Sequence, residues 1–476
     1  MHSHRRIIFG VVMTLVPLSV AQTLPKSPGT IWEPPQGVQV PYGPANAGQT
    51  IDQNKVYSLA ELIDIAERNN PDTRVVWEQA KQAAAQRGIA RSALYPMLAA
   101  AVELPVNNRN RVLFGDMFIR QDVVAIQPTV SLLYTIFDFG ARASQIEAAE
   151  ANLLAADFSF NDTHEQIIFE VTAGYYQLIS SQGEVSAAEA TLANARTIQE
   201  AAEERLKNGL ATLPDVLEAR AAAAQAAYDL ETYRGTVRVA HGRLAGVLGV
   251  SPTLTLNVQP LAESAPPNVL EESVESAINR ALEQRPELLA QAARIQAAEA
   301  GIKGARSQYY PTLSFSGNID YQYARGFQQG SASATTSGAV WSAQLSLGWT
   351  IYDAGRRYNE LDRAMSERRQ AEGELRVLRD QAEVGVWTAY SNVQTALAQQ
   401  KAAAALLDAA DKSYAAAIEA YRYGVRSFLD VVAAQRELAG ARTAEVVAGA
   451  HVLSEVANLA FQTGDLLHRG AVRKKP

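Results

Sequence analysis

At 476 residues, with a formal charge of −7 and no cysteine, the chain exceeds what one hydrophobic core usually serves, which leaves several domains or a repeated, elongated architecture. The missing cysteines exclude disulfides and a cysteine-linked lipid anchor. Lys and Arg are scattered except in the tail Arg469–Lys475, so there is no nucleic-acid surface.

In chain order, residues 1–21 read as a signal peptide: Arg5 and Arg6 precede the apolar run Ile7 to Val16, and the small residues Ser19 and Ala21 close an A-x-A-like cleavage site. A membrane-spanning helix needs about twenty apolar residues, so this run is too short to be an anchor. No later run is long enough either, and any span must be made of strands. Residues 22–57 form a Pro-rich extension, with six prolines between Leu24 and Pro44, which predicts an extended tether.

One unit then appears twice, at a constant offset of 215. Pro71 recurs as Pro286, and Ala90-Arg91-Ser92 with Tyr95-Pro96 recurs as Ala305-Arg306-Ser307 with Tyr310-Pro311. Asp138, Gly140 and Arg142 recur as Asp353, Gly355 and Arg357, and Gly209 and Asp215 recur as Gly424 and Asp430. The repeats occupy residues 58–250 and 273–465, with a linker at 251–272 and a basic tail at 466–476.

Each repeat opens with a helix that ends at its Tyr-Pro step, because proline excludes the helical conformation from the residue before it. A strand hairpin follows, about 96–137 in the first copy and 311–352 in the second. Val124, Ile126, Val130, Leu132, Tyr134 and Ile136 share one strand face, while Gln127, Thr129, Ser131 and Thr135 share the other. Leu313, Phe315, Ile319, Tyr321 and Tyr323 agree in phase, as do Trp341, Leu345, Leu347, Trp349 and Ile351. A half-buried soluble sheet has the same alternation; export and the long helices that follow favour a sheet facing lipid on one side and water on the other. The hairpin tips, Asn107–Asp122 and Arg325–Gly338, are polar and expected to be loops. Four strands close no barrel, since about eight are the minimum, so several copies must share one.

A helix then begins at Asp138 or Asp353, each read as an N-cap. Between Phe139 and Asn208 there is no proline, and about seventy residues at 1.5 Å each give a rod of roughly 100 Å. Val171, Leu178, Val185, Leu192 and Leu206, with Ala188, Ala195 and Ala202, form a seven-residue seam. The returning helix, about Pro214–Gly249, and the opening helix are each about half a rod, so laid end to end they match one.

With these residues in view, the chain resembles the TolC-type outer-membrane efflux proteins over nearly its whole mature length. Each copy carries a helix, Arg-Ser-x-x-Tyr-Pro, a strand hairpin, Asp-x-Gly and a long helix. Arg-Leu-x-x-Gly before Asp-Val-Leu-x-Ala closes the first copy, and Tyr-x-x-Gly before Asp-Val-Val-x-Ala the second. The resemblance implies a fold that is mainly α with membrane β: a homotrimer whose twelve-stranded β-barrel continues into a coiled-coil α-helical tunnel across the periplasm. It implies a passive exit duct that works with a periplasmic adaptor (membrane fusion protein) and an inner-membrane pump of RND or ABC type. Gly209, Leu210, Gly424 and Val425 match the tip turns that meet the adaptor. Asp215, Tyr421, Arg426 and Asp430 match a periplasmic aperture, with Asp430 in a carboxylate ring. Pro214 and Ala433 depart from the family pattern beside Arg426 and Asp430. For both Asp215 and Asp430 the alternative is a plain helix-start cap.

No Walker loop, nucleophile elbow, dinucleotide fingerprint or metal-ligand spacing of histidines appears, so no enzyme, cofactor or metal is expected. The rival class is a periplasmic coiled-coil scaffold or adaptor without a membrane sheet.

Overall fold

The computed structural model describes residues 51–114, 117–260, 273–328 and 333–466. The chain divides into Met1–Gly48 and Gln49–Pro476, and every described residue belongs to the second unit. The expected signal peptide, most of the Pro-rich extension, residues 261–272 and nearly all of the basic tail lie outside the described residues.

Strand β1 (Val56–Tyr57) leads into α1 (Leu59–Asn69), α2 (Pro71–Ser92), β2 (Met97–Glu103), β3 (Val106–Phe114), β4 (Met117–Phe137), α3 (Ala141–Lys207) and α4 (Leu213–Val247). After β5 (Asn257–Val258) the second copy supplies α5 (Val274–Gln284), α6 (Pro286–Ser307), β6 (Thr312–Gln328), β7 (Ala334–Gly348), α7 (Arg356–Arg422) and α8 (Phe428–Gln462). The helices of the two copies match residue for residue in length, at 11, 22, 67 and 35. The single opening helix expected in each repeat is two helices. Asn70 and Arg285 sit in extended backbone just before Pro71 and Pro286, the conformation that proline imposes on its predecessor.

Strands β1 and β5 pair in parallel as a small separate sheet, and the other strands form one antiparallel sheet in the order β2-β4-β6-β7, with β3 also on β4. The first strand of the first hairpin is interrupted at Leu104-Pro105. Proline has no N–H for the ladder, though the Pro105 carbonyl still accepts from Ala125 N. The tips are shorter than expected. Pairing continues through Asn107–Asp122 to Phe114 opposite Met117, and in the second hairpin to Gly326 opposite Ala334. The reason is that polar residues at a hairpin end keep their ladder bonds until the turn itself. The apolar face is continuous across strands: Val130 pairs with Ile319 and Ile319 with Trp341, and Tyr134 pairs with Phe315 and Phe315 with Leu345. On the opposite face Thr129 Oγ1 donates to Asp320 at 2.6 Å, and Asn318 and Ser342 extend the polar row.

Helix α3 is flanked on one side by α4 and α2 and on the other by α8 and α6, with α7 beyond, against α8 and α6. The half-rods do stack end to end. Asn70 Nδ2 donates to the Val247 carbonyl at 2.8 Å, joining α4 to α2. At the matching joint of α8 with α6, Arg285 Nη1 donates to the Gln462 side chain at 3.0 Å and its carbonyl at 3.5 Å. A core of Leu62, Ile65, Val171, Leu178, Leu244 and Leu248 straps α1 over the first joint. The expected α3 seam is buried at Val171, Leu178, Ala188, Leu192, Ala195 and Ala202. Helix α7 carries a stricter seam that the sequence reading passed over: Ala382, Ala389, Ala396, Ala403, Ala410 and Ala417, spaced by seven and all buried. Where α3 meets α8, a Cβ at Gly183 would collide with Val446 Cγ1.

Gly183→Leu is expected to push α3 from α8 and lower the melting temperature, by an overpacking cost on the order of 1–3 kcal/mol. An unchanged melt, followed by far-UV circular dichroism, would mean that this crossing is not a tight contact.

Candidate functional site

Two regions carry the expected functional residues: the turns joining sheet to rods, and the tips where the rods reverse. At the first, the N-cap is Gly140 and not Asp138, and Gly355 and not Asp353. The chain leaves each strand through a tight turn with positive φ at Phe139 and Gly140, and at Ala354 and Gly355, closed by Ala141 N to Asp138 O and Arg356 N to Asp353 O. That turn delays the helix by two residues. The aspartates still serve the helix start, since each carboxylate accepts from the backbone N–H of Arg142 or Arg357 and from its guanidinium at 2.7 Å. Burial acts to raise both carboxyls, but the hydrogen bonds and charge of Arg142 and Arg357 outweigh it and hold them below the usual carboxylate range.

A carboxyl with a depressed folded pKa stabilises fully above its unfolded value, near 4 for Asp, and loses that contribution as pH falls through the lower folded value. Asp353→Asn should therefore flatten the acid-side loss of thermal stability below about pH 4. Identical pH profiles for variant and parent would show that this ion pair does not brace the joint.

At the tips, Gly209 follows the end of α3 and Gly424 the end of α7, with φ of 72° and 73°. Leu210 N bonds Arg205 O at 2.8 Å and Val425 N bonds Ala420 O at 2.9 Å, the six-to-one closure that needs a left-handed residue and so favours glycine. Leu210, Val425 and Tyr423 project into solvent from these turns. Both aspartates beyond the turns belong to capping boxes. Asp215 accepts from Thr212 N at 2.9 Å and Thr212 Oγ1 at 2.7 Å; Asp430 accepts from Ser427 N at 3.0 Å and Ser427 Oγ at 2.9 Å. The hydrogen bonds from Ser427, with Arg426 adding charge, hold the exposed Asp430 carboxyl below its ordinary value, so it is ionised at neutral pH.

The hydrogen-bond partners of the two aspartates are Thr212 and Ser427, and Tyr421 is held by other contacts. Its ring meets Phe428 edge-on at 5.6 Å, and the Arg205 guanidinium carbon lies over the ring at 4.5 Å from its centroid. Ala202, Val216, Ala219, Phe428 and Val432 form the buried cluster beside it. Sequence reasoning named Tyr421 but missed Arg205 and Phe428. Arg205 lies inside the quoted Arg-Leu-x-x-Gly motif, yet only the fold brings it to α7.

A sheet with one continuous apolar face, joined through braced turns to paired rods of roughly 100 Å, is the arrangement of an outer-membrane channel protein. Among the described residues no helix is long and apolar enough to cross a membrane. The chain belongs to the outer membrane efflux protein family, whose model matches residues 62–250 and again 277–465. It is similar to Protein CyaE of Bordetella pertussis, 28% identical over 409 residues, covering 86% of this chain and 84% of that one. Its fold matches the outer-membrane channel OprN at a TM-score of 0.75 with 21% identity, covering 89% of this chain and 95% of that one. It also matches the outer membrane protein VceC from Vibrio cholerae at 0.73 with 19% identity, covering 85% and 96%. The protein is thus an outer-membrane channel of the efflux class, and the scaffold alternative falls.

Proposed function

We propose that three copies of the chain close into a passive exit duct, a barrel in the outer membrane continued by a tunnel, and that no covalent chemistry occurs along it. The observation that carries this reading is that sheet and helical layer both end on unpaired edges. β2 and β7 are exposed along their whole length. In the layer of rods, Trp77 on α2, Tyr228 on α4 and Val384 and Trp387 on α7 are exposed apolar groups on the outer members. In lipid, open strand edges leave backbone groups unsatisfied, and closure against another copy removes them. Two copies would give eight strands, an interior filled by side chains; three give twelve and a lumen.

The exposed Leu210 and Val425 beside Gly209 and Gly424 supply a tip surface for a periplasmic adaptor, itself coupled to an inner-membrane pump of RND or ABC type. Asp215, Tyr421, Arg426 and Asp430 surround the aperture, and three Asp430 carboxylates about one axis would attract cations and repel anions.

Light scattering and negative-stain imaging of the detergent-solubilised membrane fraction should show a three-fold particle with a hollow stalk. A soluble monomer or dimer would overturn the duct. Asp430→Asn keeps a capping side chain while removing the charge, so it should reduce cation-over-anion selectivity in a planar bilayer. Unaltered selectivity would reduce Asp430 to its capping role.

A further inference from the structure

Within each chain the tip consists of two hairpins, α3 with α4 and α7 with α8, each closed by its own glycine turn. The two hairpins of one chain meet where α3 packs on α8, so contacts between them bear on how firmly their tips hold together. Resting on the duct reading above, we propose that the Arg205 guanidinium stacked on the Tyr421 ring is the latch between the hairpins, and that it reads the aromatic ring and not the phenolic hydroxyl.

Three observations carry this. Arg205 Nε is buried and has no hydrogen-bond partner, while its guanidinium carbon lies 4.5 Å from the Tyr421 centroid. The acids next to Arg205 and Tyr421 in sequence are engaged elsewhere: Glu203 with Arg220 at 2.9 Å, Glu204 with Lys207 at 3.9 Å, and Glu419 with Arg422 at 2.9 Å. Arg205 is half-buried with its Nε out of water, and a partly desolvated guanidinium over an aromatic face is held more strongly than a fully exposed one.

Second, the ring is itself anchored. Phe428, only 4% exposed, holds Tyr421 edge-on, so Arg205, Tyr421 and Phe428 form a row running from α3 through α7 to α8. Loss of the ring would break the row at its centre, whereas loss of the hydroxyl would leave both ring contacts in place.

Third, the repeat separates structural from specialised residues. The capping pairs Thr212-Asp215 and Ser427-Asp430 occur in both copies at the offset of 215, as expected of a device that starts any such helix. The latch has no counterpart: Arg205 recurs as Ala420, and Tyr421 corresponds to Leu206. It forms where the two copies differ. The Asp215 carboxylate, occupied by Thr212, belongs to the shared scaffold.

The test is single-channel recording of the full-length purified protein in planar lipid bilayers. Arg205→Gln and Tyr421→Leu should each raise the open-state population about two- to thirty-fold, the range that a cation–π contact supports. Tyr421→Phe should match the parent, and Arg205→Lys, which keeps a cation, should fall between. Opening by Tyr421→Phe as large as that by Tyr421→Leu would assign the hold to the hydroxyl and overturn the latch, as would an unchanged Arg205→Gln. Failure of the parent and every variant to form any channel would instead overturn the duct reading on which the latch rests.

Discussion

Everything in the helical layer depends on how closely rods of 67 residues can approach without side chains forcing them apart. Interlocking at this length needs small groups at regular spacing, because one oversized residue is felt along a rigid neighbour. Helix α7 meets the constraint with buried alanines every seven residues from Ala382 to Ala417. Helix α3 meets it with Ala188, Ala195 and Ala202 between Leu and Val knobs, and with Gly183 against Val446. The gain per alanine is small, so the cohesion of the layer comes from repetition along the axis and not from a single dense centre.

The same economy governs the ends of the rods. Short helices cannot easily leave their terminal N–H and C=O groups bare, and here each free end is closed by the next element. Asn70 and Arg285 join half-rods, Asp138 and Asp353 brace the exits from the sheet, and Thr212 with Asp215 and Ser427 with Asp430 restart the chain after the tip turns. What remains open is lateral: the strand edges β2 and β7 and the flanks of the outer rods. Vertical closure is internal to the chain, whereas in the proposed duct lateral closure falls to other copies.

Much of this was legible in the residues because it is periodic. The duplication, the two strand faces and the rod lengths all follow from regular spacing, and Val130, Ile319 and Trp341 meet in the register that their phases imply. The local departures were less visible. That Pro71 divides one helix into two depends on whether proline sits at a helix start or inside one. That Asp138 precedes the N-cap by two residues depends on positive φ at Phe139, a residue type that seldom adopts it. The tip was legible as a turn, through Gly209 and Gly424, but not as a contact. Arg205 and Tyr421 are 216 positions apart, and nothing in local spacing relates an arginine near one helix end to a tyrosine near another.

The two end-to-end joints perform the same task with unlike chemistry, and this makes the duplicated chain mechanically unsymmetrical. The amide of Asn70 carries no charge, so its bond to Val247 is indifferent to ionic strength. Arg285 makes its joint while also pairing with Glu287 at 2.8 Å, beside Asp162, and burial pushes both of those carboxyls upward against the pull of the arginine. One joint of each chain therefore rests on a bond between neutral groups and the other on a bond from a charged guanidinium, so the protonation of Glu287 and Asp162 bears on the second joint and has no counterpart at the first.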